Sequence, residues 1–254
     1  MFADKLIDGG YVEPASVYQA LKGRGWAEDD DYLLLACRLA SGANIGDHRS
    51  GNFVMRLKRI ISDSIVFIYE PYIIILSHGI SELSQEDTER LKSLLKQTRL
   101  IAGMSMPFTG FMSLRNAFIQ ASIATEITGN NKTKEQEDTT MICNIRECYQ
   151  DFVLRIMEEA RGLGCICHSR LLRYAQNGGE KELGHIRCLR EYLLHGCNAS
   201  ATAAALFIHR NTLHSYLEHI RKGTGIDAAQ IHSKDILYLY LSCLSTEYIL
   251  KRKG

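Results

Sequence analysis

The sequence predicts an α+β N-terminal part, a mixed sheet with helices packed across it, followed by an all-α helix-turn-helix domain. Three observations carry that prediction. Between Tyr32 and Thr128, β-rich apolar runs alternate with stretches of helical period. From Ile142 onward the apolar residues recur at helical spacing only. Within that second part, Asn198 to Lys222 reads as two short helical patterns joined by a turn too tight for an ordinary helical hairpin.

Residues 1–30 predict opening helices. Phe2, Leu6 and Ile7 share one face, Pro14 suits a helix start, Val17 and Leu21 follow at helical spacing, and Gly23 and Gly25 end the segment before Trp26. Such a piece has no core of its own, so it docks on the next domain or is the remnant of an upstream linker. Residues 31–128 read as one domain. Tyr32 to Leu39 is a nearly continuous apolar strand, and Ser50 to Ile61 is helical through Phe53, Leu57, Ile60 and Ile61. Ser64–Tyr69 and Tyr72–Leu76 flank Glu70-Pro71 as a hairpin. Ser84 and Asp87 form a capping box that opens a helix carrying Leu91, Leu94 and Leu95. Leu100 to Met104 is a further strand, and Ser113 to Thr128 a helix with Ala117, Ala121 and Ala124 on one face. The resulting order is β-α-β-β-α-β-α.

Residues 129–140 are polar and lack apolar periodicity, which suits a linker or an exposed loop. Residues 141–180 predict connecting helices. A long amphipathic one carries Ile142, Ile145, Tyr149, Phe152, Val153, Ile156 and Met157 and breaks at Gly162 and Gly164. A shorter one with Leu171, Leu172 and Tyr174 ends at Asn177-Gly178-Gly179. Residues 181–254 form the last domain. Leu183, Ile186, Leu189 and Leu193 line a helix closed by Gly196, the paired short helices follow, and Lys234 to Leu250 form the final helix. That helix is apolar around most of its circumference in its first half, as the centre of a bundle or half of a dimer seam would be.

The paired helices hold the candidate site. Ser200 is the expected cap of the first, and Ala201, Ala203, Ala204 and Ala205 would let the second cross at close range, with Leu206 anchoring the end. Phe207 fills a turn position where Gly is common, so the turn either avoids a positive φ or holds Phe there at a cost. The second helix, starting near Arg210, places Leu213, Leu217 and Ile220 on one face and leaves Arg210, Asn211, His214, Ser215 and Glu218 pointing away. Such a polar face near a helix N-terminus suits the major groove of DNA. Arg210 is expected at phosphate or guanine, Asn211 and His214 at base edges, and Ser215 at phosphate or base. His209 is expected as the cap and Thr212 as a contact or a helix-start hydrogen-bonding residue.

Composition bounds the partners. The chain of 254 residues, 46% hydrophobic and 23% charged, is long enough for two compact domains. A formal charge of +1 excludes a strongly basic coat, so affinity for nucleic acid must come from a local patch. From Glu180 to Gly254 ten Lys and Arg stand against seven Asp and Glu, and six of the nine histidines lie there, a modest excess that permits such a patch. The eight cysteines show no disulfide framework, which points to a reducing cytoplasm. Cys165-Ile166-Cys167-His168 lacks the paired spacing of structural zinc sites, so no metal or other cofactor is expected. No charged-then-apolar leader opens the chain, and the apolar run Ile236 to Leu244 is too short to span a membrane.

The run AAALFIHRNTLHSYLEHI, with LREYLLHGCN before it and GTGID after it, resembles the C-terminal DNA-binding domain of the PucR and CdaR family of bacterial transcriptional regulators. The most distinctive stretch of the resemblance is HRNTL, here His209 to Leu213. The chain departs just after it, with His214, Ser215 and Tyr216 where the family usually has a Tyr-Arg pair before the Leu. The segment IAGMSMPFTGFMSLRNAFIQASIATEI is similar to the end of the degenerate GGDEF-like domain that precedes the helix-turn-helix in those regulators. The resemblance implies a sequence-specific regulator of catabolic genes, acting in the cytoplasm on a double-stranded DNA operator as a homodimer. Family members carry a variable sensing domain upstream and answer to small-molecule effectors through it. Nothing here resembles that domain, so a truncated or naturally short member is expected.

Two other readings compete. A nucleotide cyclase needs a glycine-rich, acidic hairpin to approach its substrate and hold divalent metal. Ile68-Tyr69-Glu70-Pro71-Tyr72 has no glycine pair and one carboxylate, so the chain is not expected to be an enzyme, and packing, dimerisation or ligand sensing remains for that domain. An architectural protein binding DNA without sequence preference would need more basic residues than a near-neutral chain supplies.

Overall fold

The central strand of the N-terminal region, β1 (Asp31–Leu39), is buried on both faces along most of its length, as its continuous apolar run requires. The computed structural model describes residues 2–43, 47–130 and 141–251, without the side chains of 47–52 and 130. Of the expected linker, 129–140, Gly129 and Asn130 instead end a helix and 131–140 lie outside the described residues, as do Arg252 and Lys253 of the C-terminal tail. The chain divides into two compact units, Met1–Phe152 and Val153–Gly254.

In the first unit α1 (Phe2–Ile7) and α2 (Pro14–Lys22) precede β1. Then come α3 (Asp47–Ile60), β2 (Ser64–Tyr69), β3 (Tyr72–His78), α4 (Gln85–Thr98), β4 (Leu100–Met104), β5 (Phe108–Thr109), α5 (Leu114–Asn130) and β6 (Ile142–Asn144). The sheet order is β2-β3-β1-β4-β6, with β5 pairing the start of β1. β3 lies antiparallel between β1 and β2, and β1 antiparallel between β3 and β4, the split β-α-β arrangement. β6 joins β4 in parallel, which makes the sheet mixed.

Alternation along the strands sorts the core into two layers. Tyr32, Leu34, Ala36, Ile74 and Leu76 face α1, α2 and α5, so the opening helices dock on the sheet through Leu6, Ile7, Val17 and Leu21. Leu33, Leu35, Cys37, Ile73 and Ile75 face α3 and α4. Two local features fix this packing. Gly103 of β4 lets the backbone of α5 lie directly on the strand, since a Cβ there would stand 2.1 Å from the Ala121 carbonyl oxygen. Thr125 of α5 also donates to the Ala36 carbonyl at 2.8 Å. At one end of the sheet His78 bridges Asp30 and Asp63 at 2.7 and 2.6 Å and stacks on Trp26, whose indole N–H donates to Asp63 at 3.0 Å.

One expectation fails here. The long helix predicted from Ile142 begins instead at Tyr149, as α6 (Tyr149–Arg161), and Ile142–Asn144 is strand. Ile142 and Ile145 show helical spacing, but backbone pairing with β4 and burial of Ile142 against the sheet outweigh it.

In the second unit α7 (Ser169–Gly178), α8 (Glu180–Leu194), α9 (Ala199–Ala205), α10 (Arg210–Thr224) and α11 (Ser233–Lys251) follow the end of α6. Leu171, Ile186, Leu189, Leu193, Leu213, Leu217, Ile220, Leu239 and Cys243 form its core. α8 and α11 are also tied by charge. Glu247, only 5% exposed, accepts from Arg190 at 2.8 Å, and Arg187 lies 3.6 Å away. Burial pushes the Glu247 carboxyl up, and the two guanidiniums oppose that rise.

Candidate nucleic-acid interface

The helix-turn-helix is built from α9, the turn Leu206–His209 and α10. Asn198, not the expected Ser200, caps α9. Its side-chain oxygen accepts from the Ser200 and Ala201 N–H groups at 3.0 and 3.1 Å, so Ser200 falls in the first turn. The close crossing is also narrower than expected. Ala203 and Thr202 are the buried residues of α9, whereas Ala201, Ala204 and Ala205 face solvent.

Phe207 adopts φ +54°, so the turn takes the left-handed region despite the aromatic side chain. That conformation costs an L-residue about 1 kcal/mol. The ring is 96% exposed and gains no packing to offset the cost. It is a large apolar group exposed just before the start of α10.

α10 presents the site residues as the apolar spacing requires. His209 is the cap, its Nδ1 accepting from the Asn211 N–H at 3.2 Å. Leu213, Leu217 and Ile220 are buried, which turns Arg210, Asn211, His214 and Ser215 outward, all exposed. Arg210 and His214 are four apart, as are Asn211 and Ser215, so each pair occupies one stripe of the exposed face. Thr212 is half-buried and stands apart from that face. Glu218 is engaged by Arg221 at 2.6 Å, which holds its carboxyl pKa below the usual value and compensates its charge.

Behind α10 lies a cluster that sequence reasoning missed. His185 of α8, 3% exposed, has Nδ1 2.8 Å from the Tyr174 hydroxyl, with the rings of Tyr216 and His219 at 4.9 and 5.1 Å. With Nδ1 accepting from Tyr174, the ring proton sits on Nε2. Burial first, then the proximity of His219, holds the His185 pKa below its usual value. A neutral imidazole thus underlies the outward-facing helix. Its partners come from two other helices, α7 and α10, so no local motif announces it.

Among the described residues no group of three or more His, Cys, Asp or Glu could hold a metal ion, and no helix is long and apolar enough to cross a membrane.

Comparison with known proteins bears on this region. Residues 185–244 match the PucR C-terminal helix-turn-helix domain, so the second unit carries a DNA-binding domain of that type. No curated protein matches the chain significantly. Among solved structures, a regulator of polyketide synthase expression from Bifidobacterium adolescentis is similar over 99% of this chain and 98% of that chain, at 15% identity and a TM-score of 0.43.

Proposed function

From the PucR-type helix-turn-helix at residues 185–244, we propose that the protein is a sequence-specific transcriptional regulator of the PucR/CdaR type, controlling catabolic genes from the bacterial cytoplasm. The observation that carries this reading is the outward face of α10. Its first two turns expose Arg210, Asn211, His214 and Ser215 while Leu213, Leu217 and Ile220 anchor the helix from behind. A helix held this way enters the major groove N-terminus first, where free amides and Arg210 meet phosphate or guanine and Asn211 and His214 meet base edges. Ser215 reaches phosphate or base. His209 acts chiefly as the cap, and half-buried Thr212 supports the helix start.

One module touches too few bases for specific binding, so the regulator acts as a homodimer on a two-fold or tandem operator. Leu194 and Leu237, 58% and 67% exposed, give the second unit apolar surface suited to self-association. The first unit is read as a non-catalytic, degenerate GGDEF-like domain. Its split β-α-β order supports that, and the β2–β3 hairpin turns through Glu70-Pro71 without a glycine pair.

The test is selection of random duplexes by the purified chain beside an Arg210→Ala/His214→Ala variant over a salt series. Enrichment of a two-fold or tandem site by the parent alone is the expected result. Equal enrichment by both proteins, or none by a parent of dimeric mass, overturns the reading.

A further inference from the structure

Two thiols of the first unit face each other across a tight turn. Cys143 is the middle residue of β6 and Cys148 immediately precedes α6, and the turn between them is closed by the Glu147 N–H donating to the Asn144 carbonyl at 2.9 Å. The turn is held in place from both sides. The Ile145 N–H donates to the Met104 carbonyl at 2.9 Å, and the Phe152 N–H to the Cys148 carbonyl at 3.0 Å. Ile145 is fully buried with Ala124, Met106 and Ile127 around it. The two sulfurs stand 3.0 Å apart, and both thiols also point at the Asn144 carbonyl. No other sulfur pair among the described residues lies at hydrogen-bond distance.

We propose that Cys143 and Cys148 are a reversible dithiol–disulfide modification site, oxidised by hydrogen peroxide or an organic hydroperoxide and restored by a dithiol reductant. Forming the bond requires the sulfurs to close from 3.0 to about 2.05 Å, a shift within reach of side-chain rotation. Cys143 is the attacking sulfur. It is the more exposed of the two, and the Cys148 thiol, as hydrogen-bond donor, holds its pKa below the usual value against the opposing effect of burial. Its thiolate attacks one peroxide oxygen and the O–O bond breaks. The departing oxygen leaves as water or an alcohol, taking the proton that Cys143 lost, and a sulfenic acid remains on Cys143. The Cys148 sulfur then displaces that hydroxyl. The S–O bond breaks, the S–S bond forms, and the Cys148 proton leaves with hydroxide as water. Two thiols and one hydroperoxide become one disulfide, one alcohol or water, and one water, the two sulfurs supplying both electrons. Thiolate exchange with the reductant reverses the change.

The other cysteines suit this role less. Cys37, Cys188 and Cys243 are buried, Cys197 makes no sulfur contact among the described residues, and Cys165 and Cys167 have only one residue between them. The experiment treats the reduced full chain with one equivalent of hydrogen peroxide, alkylates it under denaturing conditions, and maps the products by mass spectrometry. Cleavage after Arg146 separates Cys143 from Cys148, so their disulfide appears as two linked peptides. The expected result is loss of two of the eight alkylatable thiols, a linked pair carrying Cys143 and Cys148, and recovery on treatment with dithiothreitol. Cys143→Ser should slow thiol loss roughly tenfold, whereas Cys165→Ser/Cys167→Ser should leave the linked pair intact. Retention of all eight thiols, a linkage between other cysteines, or sulfinic acid on Cys143 without a disulfide overturns the proposal. The mapping on the unsubstituted chain decides the matter even if a variant fails to fold.

Discussion

His78 in the first unit is half-buried and His185 in the second is buried, and their surroundings shift their pKa values in opposite directions. Burial alone would lower the pKa of His78, but its hydrogen bonds to the Asp63 and Asp30 carboxylates and their negative charge more than reverse that, so it is raised. His185 faces a tyrosine hydroxyl and another histidine, and burial wins. One histidine joins two carboxylates at the end of the sheet, and they favour its protonated form. The other is a neutral wedge under a helix that must present itself to a polyanion. The same residue type, half-buried in one unit and buried in the other, has its protonated form favoured in the first and its neutral form favoured in the second.

The comparison can be broken most forcefully through buried charge. Arg190→Ala leaves Glu247 facing only the more distant Arg187, and loss of one partner from a buried pair costs about 3–5 kcal/mol. Hydrogen exchange in α8 and α11 should accelerate accordingly. Unchanged protection there would show the ion network to be incidental. Gly103→Ala is the corresponding lesion in the first unit. Its Cβ collides with the α5 backbone, and overpacking of this kind costs about 3 kcal/mol. A denaturation midpoint unchanged when read through Trp26, the sole tryptophan, would contradict the close approach of α5 to β4.

pH sharpens the contrast itself. The raised pKa of His78 means that its contribution is complete below the unfolded value of about 6.5 and is lost as pH rises through the folded value. For His185 the folded pKa is depressed, so its contribution is complete above about 6.5 and is lost as pH falls toward the folded value. The Trp26 signal should therefore show the first unit gaining relative stability on acidification, while hydrogen exchange, corrected for intrinsic rate, shows α10 losing protection. His185→Gln should abolish the second effect and leave the first. Parallel trends in both units would defeat the assignment.

The smallest effect belongs to the turn. Phe207→Gly relieves the left-handed strain against a loss of backbone entropy on folding, for a net gain of at most about 0.5 kcal/mol. A rise in melting temperature of the second unit supports this, and a fall would show that the exposed ring has a packing role.

Much of the fold was legible because burial on two faces leaves continuous apolar runs, as in Tyr32 to Leu39, and because caps act locally. The Ser84 side chain accepts from the Asp87 N–H at 3.0 Å, and His209 caps α10, both as their sequence contexts imply. What escaped is non-local or degenerate. Asn198 and Ser200 are both capping residues two positions apart, and only geometry chooses between them. β6 is three residues long and exists because β4 offers it an edge. Arg190 and Glu247 are 57 residues apart, and the partners of His185 come from α7 and α10, so neither cluster leaves a spacing in the sequence. The outward residues of α10 were readable from Leu213, Leu217 and Ile220 alone, since three buried positions fix the orientation of a helix.

The central claim is that this outward face reads base sequence. Its most direct test is the affinity of the parent and of His214→Ala for every single-base substitution of the selected duplex. The account predicts that His214→Ala loses discrimination, worth about 1–3 kcal/mol, at one base pair of each half-site and keeps it elsewhere. A uniform drop in affinity across all the duplexes, with every preference retained, would contradict it.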